Sequence, residues 1–228
     1  MTTLTVADFA DTGQWRLIVN IYTSGMTAFL ENTLHDDVEP QQLFSTRWEP
    51  DAETLLNNIE NAVYDNPRML DDFSARIILF DRRTLFIPTV LAEESEGAEE
   101  DYYTDLYHAA KEDVIIETDG DITAASSLAA GLKGFLSRTF PGARISSNLM
   151  AQVSRLRKEN AGKGLMMSVT PREQEREADF ILLDGSDLIS ASTHSVAAPE
   201  DIIYHTYNII DSYGYNAADV EVPEAYRL

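Results

Sequence analysis

Four histidines, His35, His108, His194 and His205, are the groups on which metal binding or proton transfer would draw first. None stands in HExxH or H-x-H spacing, or in another ligand pattern with carboxylates. They read as isolated surface or core residues, although His194 and His205 could meet across a strand and a helix. A serine hydrolase needs a Gly-x-Ser-x-Gly elbow, and the chain has none. Gly162-Lys163-Gly164 has the residue types of a phosphate loop. It lacks the upstream glycine and the hydroxyl residue after lysine, and it follows a helix where a strand should precede, so it reads as a helix C-cap and loop. Asp184-Gly185 lies between two apolar runs and reads as a type I′ hairpin turn. The acidic run Glu93–Asp101 lacks the D-x-D-x-D-G order of a calcium loop and reads as a solvated loop. Tyr102, Tyr103 and Tyr107 stand beside that run, and Tyr204, Tyr207, Tyr213, Tyr215 and Tyr226 cluster late; as tyrosines they suit half-buried packing or an interface. No catalytic residue, metal ligand or cofactor-binding residue is assigned, and no cofactor is expected.

Composition narrows the classes further. The 228 residues contain no cysteine, which removes disulfides, thiolate zinc sites, iron–sulfur clusters and cysteine nucleophiles, and fits a reducing compartment. The 39 acidic residues outnumber 17 Lys and Arg, giving a net charge of −22. Binding to nucleic acid or an anionic membrane needs clustered cations, so neither is expected. The acidity reads as a solubilising surface, or more sharply as a docking face for a basic protein partner. No apolar run reaches the ~20 residues that span a bilayer. The start, Met1–Asp8, has no basic stretch leading into an apolar one, so it does not read as a signal peptide. A cytoplasmic protein is expected.

The elements that would hold any site follow from periodicity. Arg16–Tyr22, a turn at Thr23–Met26 and Thr27–Leu30 read as a hairpin, with Gln42–Trp48 a third strand. Pro50–Glu53 opens a helix whose inner face carries Leu55, Leu56, Ile59 and Val63. Arg76–Phe80 is a further strand. The order returns later: Gly164–Thr170, Asp179–Leu183 and Leu188–Thr193 read as strands, and Pro199–Asp201 opens a helix with Ile202, Ile203, Thr206, Tyr207 and Ile210 inward. Arg16 to Asp51 and Gly164 to Pro199 are both 35 positions, so the chain reads as two strand–strand–strand–helix copies. Between them lie a strand at Val114–Glu117, helices over 122–139 and 147–160, and a linker at 140–146. The boundary sits there, with domains 1–140 and 141–228.

Phe73–Phe80 followed by Thr84-Leu-Phe-Ile-Pro-Thr-Val-Leu91, together with the late stretch Ala198–Gly214, resembles a domain-of-unknown-function family found mainly in Bacteroidetes, whose members are actin-like ATPases in fold. The resemblance spans roughly residues 15 to 216. It implies an α/β fold of mixed sheets, the duplicated actin-like (ribonuclease H-like) β-β-β-α architecture, and it implies no activity. Set against a full actin-like chain the sequence looks degenerate, and incomplete at its C-terminus, since only 14 residues follow Gly214.

An ATPase of that fold places Asp-x-Gly-x-x-x-Ser/Thr at its first hairpin, the aspartate for hydrated magnesium and the glycine for close approach of phosphate. Here the hairpin reads Asn20-Ile-Tyr-Thr-Ser-Gly-Met26, and its counterpart Val169-Thr-Pro-Arg-Glu173 carries Pro171, which has no N–H to donate. The expected function is therefore a non-catalytic actin-like scaffold or protein-binding module; the alternative is a divergent nucleotide-binding ATPase. Phosphoryl transfer depends on magnesium placement and a phosphate cradle, so calorimetric titration with Mg-ATP is expected to give a flat trace. A saturable, stoichiometric heat would favour the alternative.

Overall fold

Strict alternation makes the first hairpin. In β1 (Trp15–Tyr22) the odd positions Trp15, Leu17, Val19 and Ile21 are buried and the even ones half-buried, the period-two signature of a strand with one face on a core. The computed structural model describes residues 12–35, 37–81, 83–88, 97–172 and 175–227. β2 (Gly25–Asn32) pairs antiparallel with β1, from Trp15 opposite Asn32 to Tyr22 opposite Gly25. β3 (Gln41–Arg47) adds to the outside of β2. Next come α1 (Leu55–Tyr64) and β4 (Ala75–Phe80), and β4 runs parallel to β1.

Then follow β5 (Thr84–Pro88), α2 (Ala98–Tyr107), β6 (Val114–Asp119), β7 (Ile122–Ser127), α3 (Leu132–Thr139) and β8 (Arg144–Ser147). The chain finishes with α4 (Asn148–Glu159), β9 (Leu165–Arg172), β10 (Glu177–Asp184), β11 (Asp187–Ser195) and α5 (Pro199–Ser212). The structure is a mixed α/β fold with two compact units. One comprises the described chain before Arg83 with His108–Ile115 and Ser127–Ser147; the other comprises Arg83–Tyr107, Ile116–Ser126 and the chain from Asn148.

In the first unit the sheet order is β3-β2-β1-β4-β8. Leu55, Ile59, Ala62 and Val63 of α1 and Leu132, Phe135 and Leu136 of α3 close over its apolar face. In the second unit, the sheet β11-β10-β9 carries helices against both faces. The even residues Phe180 and Leu182 of β10 pack with Ile202, Ile209 and Ile210 of α5, while the odd Ile181 and Leu183 pack with Leu149, Val153 and Leu156 of α4. Burial on both faces explains the unbroken apolar run Phe180–Leu183. Beside β9 the chain returns in parallel at Glu221, whose N–H donates to the Leu165 carbonyl (2.9 Å) and whose carbonyl accepts from Met167 N–H (2.8 Å). The unit also holds β5 with residues 116–119 of β6 and 122–126 of β7, from a third sheet of order β5-β7-β6.

Five details of the sequence reading change. The stretch 122–139 is not one helix: Ile122–Ser127 is β7, and only Leu132–Thr139 is helical. Asp119-Gly120 reverses the chain, with Gly120 at φ 65°, and β7 then pairs along β5 from Thr84–Ser126 to Pro88–Ile122. Pairing on both sides outweighs the helix preference of Ala124 and Ala125. The linker at 140–146 contains most of β8, which pairs parallel with β4. α1 begins at Leu55 rather than at Pro50, without acids in its first turn. Asp184 and Asp187 face each other, so Gly185 and Ser186 form the turn; Gly185 alone has positive φ (57°), the pattern of a II′ turn rather than I′. Lastly, the two units are not the contiguous halves 1–140 and 141–228, because 83–107 and 116–126 pack with the later residues. Of the acidic run, 93–96 lies outside the described residues, while Glu99, Glu100 and Asp101 form the first turn of α2.

Gly25 has a role that sequence does not display. A Cβ built there would stand 2.6 Å from the Thr46 carbonyl oxygen, because β3 crosses the start of β2 in close contact. Gly25→Ala is expected to destabilise the protein by about 1–3 kcal/mol, the range for forcing an extra carbon into packed surroundings. Urea denaturation would check this; an unchanged midpoint would show that β3 yields freely.

Candidate functional site

The second unit contains a cleft of about 710 Å³ bounded by two strand edges. Thr84–Pro88 of β5 lines one side and Leu188–Thr193 of β11 the other, each as an unbroken series of residues. A strand turns alternate side chains to opposite faces, so a series without gaps means that its edge faces the cleft. Both strands are at the end of their sheets, in the orders β5-β7-β6 and β11-β10-β9. Edge strands carry a row of backbone N–H and C=O groups turned away from their own sheet.

The C-terminal turns of α4 position the two edges. Arg157 donates through Nε to the Ser186 carbonyl (2.6 Å), through Nη1 to the Asp119 carbonyl (2.9 Å), and through Nη2 to the Asp121 carboxylate. One guanidinium thus holds the β6–β7 turn and the β10–β11 turn at once. Its hydrogen bond to Asp121 keeps that carboxyl below the usual carboxylate range, helped by the residue's own backbone N–H. Asn160, 1% exposed, donates through Nδ2 to the carbonyls of Gly164 (3.0 Å) and Gly185 (2.8 Å). Gly162-Lys163-Gly164 therefore belongs to a clamped loop after α4, with Gly162 at φ 74°. Deeper in, the buried Asp179 carboxylate accepts from Thr193 Oγ1 (2.6 Å) and Gln152 Nε2 (2.7 Å), and Arg172 lies 3.3 Å away. That network joins β9, β10, β11 and α4.

At the β5 end, the Tyr103 hydroxyl donates to the Arg83 carbonyl (2.9 Å), and its ring lies 4.8 Å from that of Tyr107. The Arg83 guanidinium sits 5.7 Å above the Tyr107 ring, so an aromatic pair and a cation mark this end of the cleft. Tyr213 also lines it. Of the late tyrosines, Tyr204 and Tyr213 are exposed, whereas Tyr215 and Tyr226 pack onto the α5 side of the sheet.

The residues that carried the phosphate question are otherwise engaged. Asn20 is an ordinary β1 residue opposite Thr27, and the carbonyls of the following turn are taken by Trp48, whose indole Nε1 donates to Thr23 (2.9 Å) and whose N–H donates to Ser24 (3.0 Å). Pro171 pairs with Ala178 inside the β9–β10 ladder. His35 accepts at its carbonyl from Val38, and His108 follows α2 with φ 54°. His194 and His205, read as isolated, in fact stack, with ring centroids 4.5 Å apart and planes at 21°. Phe180 meets both edge-on at 5.6 and 5.7 Å, and Ser192 Oγ lies 3.0 Å from His194 Nε2. Among the described residues no three His, Asp or Glu side chains converge as a metal site. Sequence reading missed Arg157 as a clamp and placed β5 in no sheet. The Asp119-Gly120 dipeptide was the signal that could have revealed the third sheet.

The chain matches the family model described as "Protein of unknown function (DUF3822)" over residues 7–223. Among solved structures it is similar to a protein from Bacteroides thetaiotaomicron VPI-5482 described as having an actin-like ATPase fold and unknown function. That similarity has a TM-score of 0.75 and 19% identity, and covers 94% of this chain and 83% of the other. Weaker likenesses reach the PilM–PilN type IV pilus biogenesis complex (TM-score 0.43, 12% identity, 88% of this chain and 66% of that one) and an Aquifex aeolicus Ppx/GppA phosphatase (TM-score 0.40, 6% identity, 87% and 62%). The chain spans under two thirds of these last two. No curated protein matches. The fold is thus actin-like, as the residues Phe73–Leu91 and Ala198–Gly214 led one to expect.

The histidine stack generates a pH dependence. Burial and the neighbouring charge of His205 lower the pKa of His194 below the ordinary 6.5. A base with a depressed native pKa takes up its proton more readily when unfolded, so its contribution is complete above pH 6.5 and declines as pH falls toward the native value. Thermal midpoints are expected to drop across that window, and His194→Gln should reduce the drop. Equal pH slopes for the two proteins would remove His194 as its source.

Proposed function

The chain belongs to the DUF3822 family of proteins of unknown function, and from that premise we propose that it is a non-catalytic, actin-like protein-binding module that accepts an extended segment of a partner between β5 and β11. The observation carrying this reading is that two strand edges bound one cleft, since a peptide added there can pair its backbone with a sheet on either side. β5 is five residues long, roughly 17 Å of pairing. The cleft lining mixes small hydroxyl residues, Ser190, Ser192 and Thr193, with aliphatic Leu85, Ile87 and Leu188. Such a lining accommodates alternate side chains without fixing a reaction.

The partner is a basic protein, in keeping with the net charge of −22. The cytoplasm is the setting: the chain has no cysteine, and among the described residues no helix is long and apolar enough to cross a membrane. Affinity capture from native lysate, followed by tiled peptides of the captured protein, would test the reading. One peptide should protect backbone amides of both β5 and β11 from hydrogen exchange, and Ala191→Trp, which fills the cleft, should weaken it by about tenfold or more, over 1.4 kcal/mol. Protection of neither edge would refute strand addition.

A further inference from the structure

A second surface lies along β5, on the side of α2. Leu85, Phe86, Ile87 and Pro88 form the floor of an open groove of about 580 Å³, and Tyr102, Asp105 and Leu106 of α2 form its wall. On α2, Ala98 and Tyr103 face inward, which accounts for the packing of the helix. Tyr102 and Leu106 are left outside, 45% and 58% exposed, and their i,i+4 spacing sets them side by side on one stripe. Two adjacent large apolar side chains over an apolar strand form a contiguous patch rather than scattered exposure. Asp105 lines the groove itself. α2 carries Glu99, Glu100, Asp101 and Asp105 and no Lys or Arg.

We propose that this groove docks a segment of another protein that presents a leucine-sized side chain flanked by lysine or arginine. The apolar floor supplies burial for one such side chain. Asp105 in the wall, with the other acids of α2, supplies selection by charge, which acts on encounter and on wrong partners. A second copy of this chain is disfavoured by its like charge of −22, and an anionic membrane by the same carboxylates. The groove shares Leu85–Pro88 of β5 with the cleft between β5 and β11; the α2 wall of Tyr102, Asp105 and Leu106 belongs to the groove alone, and Ala191 to the cleft alone.

The probe is a short amphipathic peptide of leucine and lysine, with a counterpart in which glutamate replaces lysine, followed by fluorescence anisotropy. The lysine peptide should bind about tenfold or more tightly than the glutamate peptide, and should weaken severalfold between about 0.1 M and 1 M salt as the screening length falls from ~10 to ~3 Å. Leu106→Ser should weaken it by about tenfold, and Asp105→Lys should narrow or reverse the preference between the peptides. Both positions are solvent-facing, so thermal midpoints should stay near wild type. Ala191→Trp should leave the affinity unchanged; if it abolishes binding, the peptide occupies the strand cleft and this proposal fails while strand addition stands. Equal affinity for the two peptides, or indifference to both α2 variants, would overturn it. Self-association of the free chain that Leu106→Ser removes would assign the groove to a second copy instead.

Discussion

The second unit depends on the last two turns of one helix. Arg157 in the last turn of α4 and Asn160 directly after it reach the turns of two separate hairpins and the loop that leaves the helix. Their partners are backbone carbonyls at Asp119, Gly164, Gly185 and Ser186, groups that a turn exposes whatever its side chains. A guanidinium is suited to this because its N–H groups diverge in one plane and stay charged at any accessible pH. Apolar packing between α4 and the odd residues of β10 sets the distance, and the polar clamp sets the angle at which β6–β7 and β10–β11 end. The cleft between the edges is a product of both.

The two units share one order of elements. In each unit a three-strand antiparallel meander is followed by a helix: β1-β2-β3 with α1, and β9-β10-β11 with α5. In the first unit the sheet continues through two parallel strands; in the second the parallel neighbour of β9 is a single bridge at Glu221. Trp48 donates to a carbonyl of the β1–β2 turn, Pro171 lies within the β9–β10 ladder, and Gly25 admits the close approach of β3.

Much of this was legible in the chain. Strands with one buried face, such as β1, announce themselves by alternation. α5 announces itself by Pro199 and by Asp201, whose carboxylate accepts from the N–H groups of Ala197 (2.7 Å) and Ala198 (3.0 Å) and is held below its usual pKa by them. What stayed hidden was non-local. β7 is composed of Ile, Thr, Ala and Ser, too small for a strong strand signal, and becomes a strand because β5 and β6 flank it. β8 is four residues long and is defined by its pairing with β4. The clamp by Arg157 spans 38 positions to Asp119, and no pattern within a helix window can report it. The histidine stack was visible as a possibility and required the register of β11 against α5 to become a contact.

The open edges of β5 and β11 also bear on how many copies of this chain can be crowded together. A strand edge is a template that does not distinguish a partner from a sister molecule. Here every sister molecule arrives carrying the same 22 surplus negative charges, and that repulsion grows as copies approach. The acidity therefore acts as a colloidal guard: it permits an edge to remain uncovered in concentrated solution, and salt or neutralising cations that screen the charge would lower that guard before any change in the fold itself.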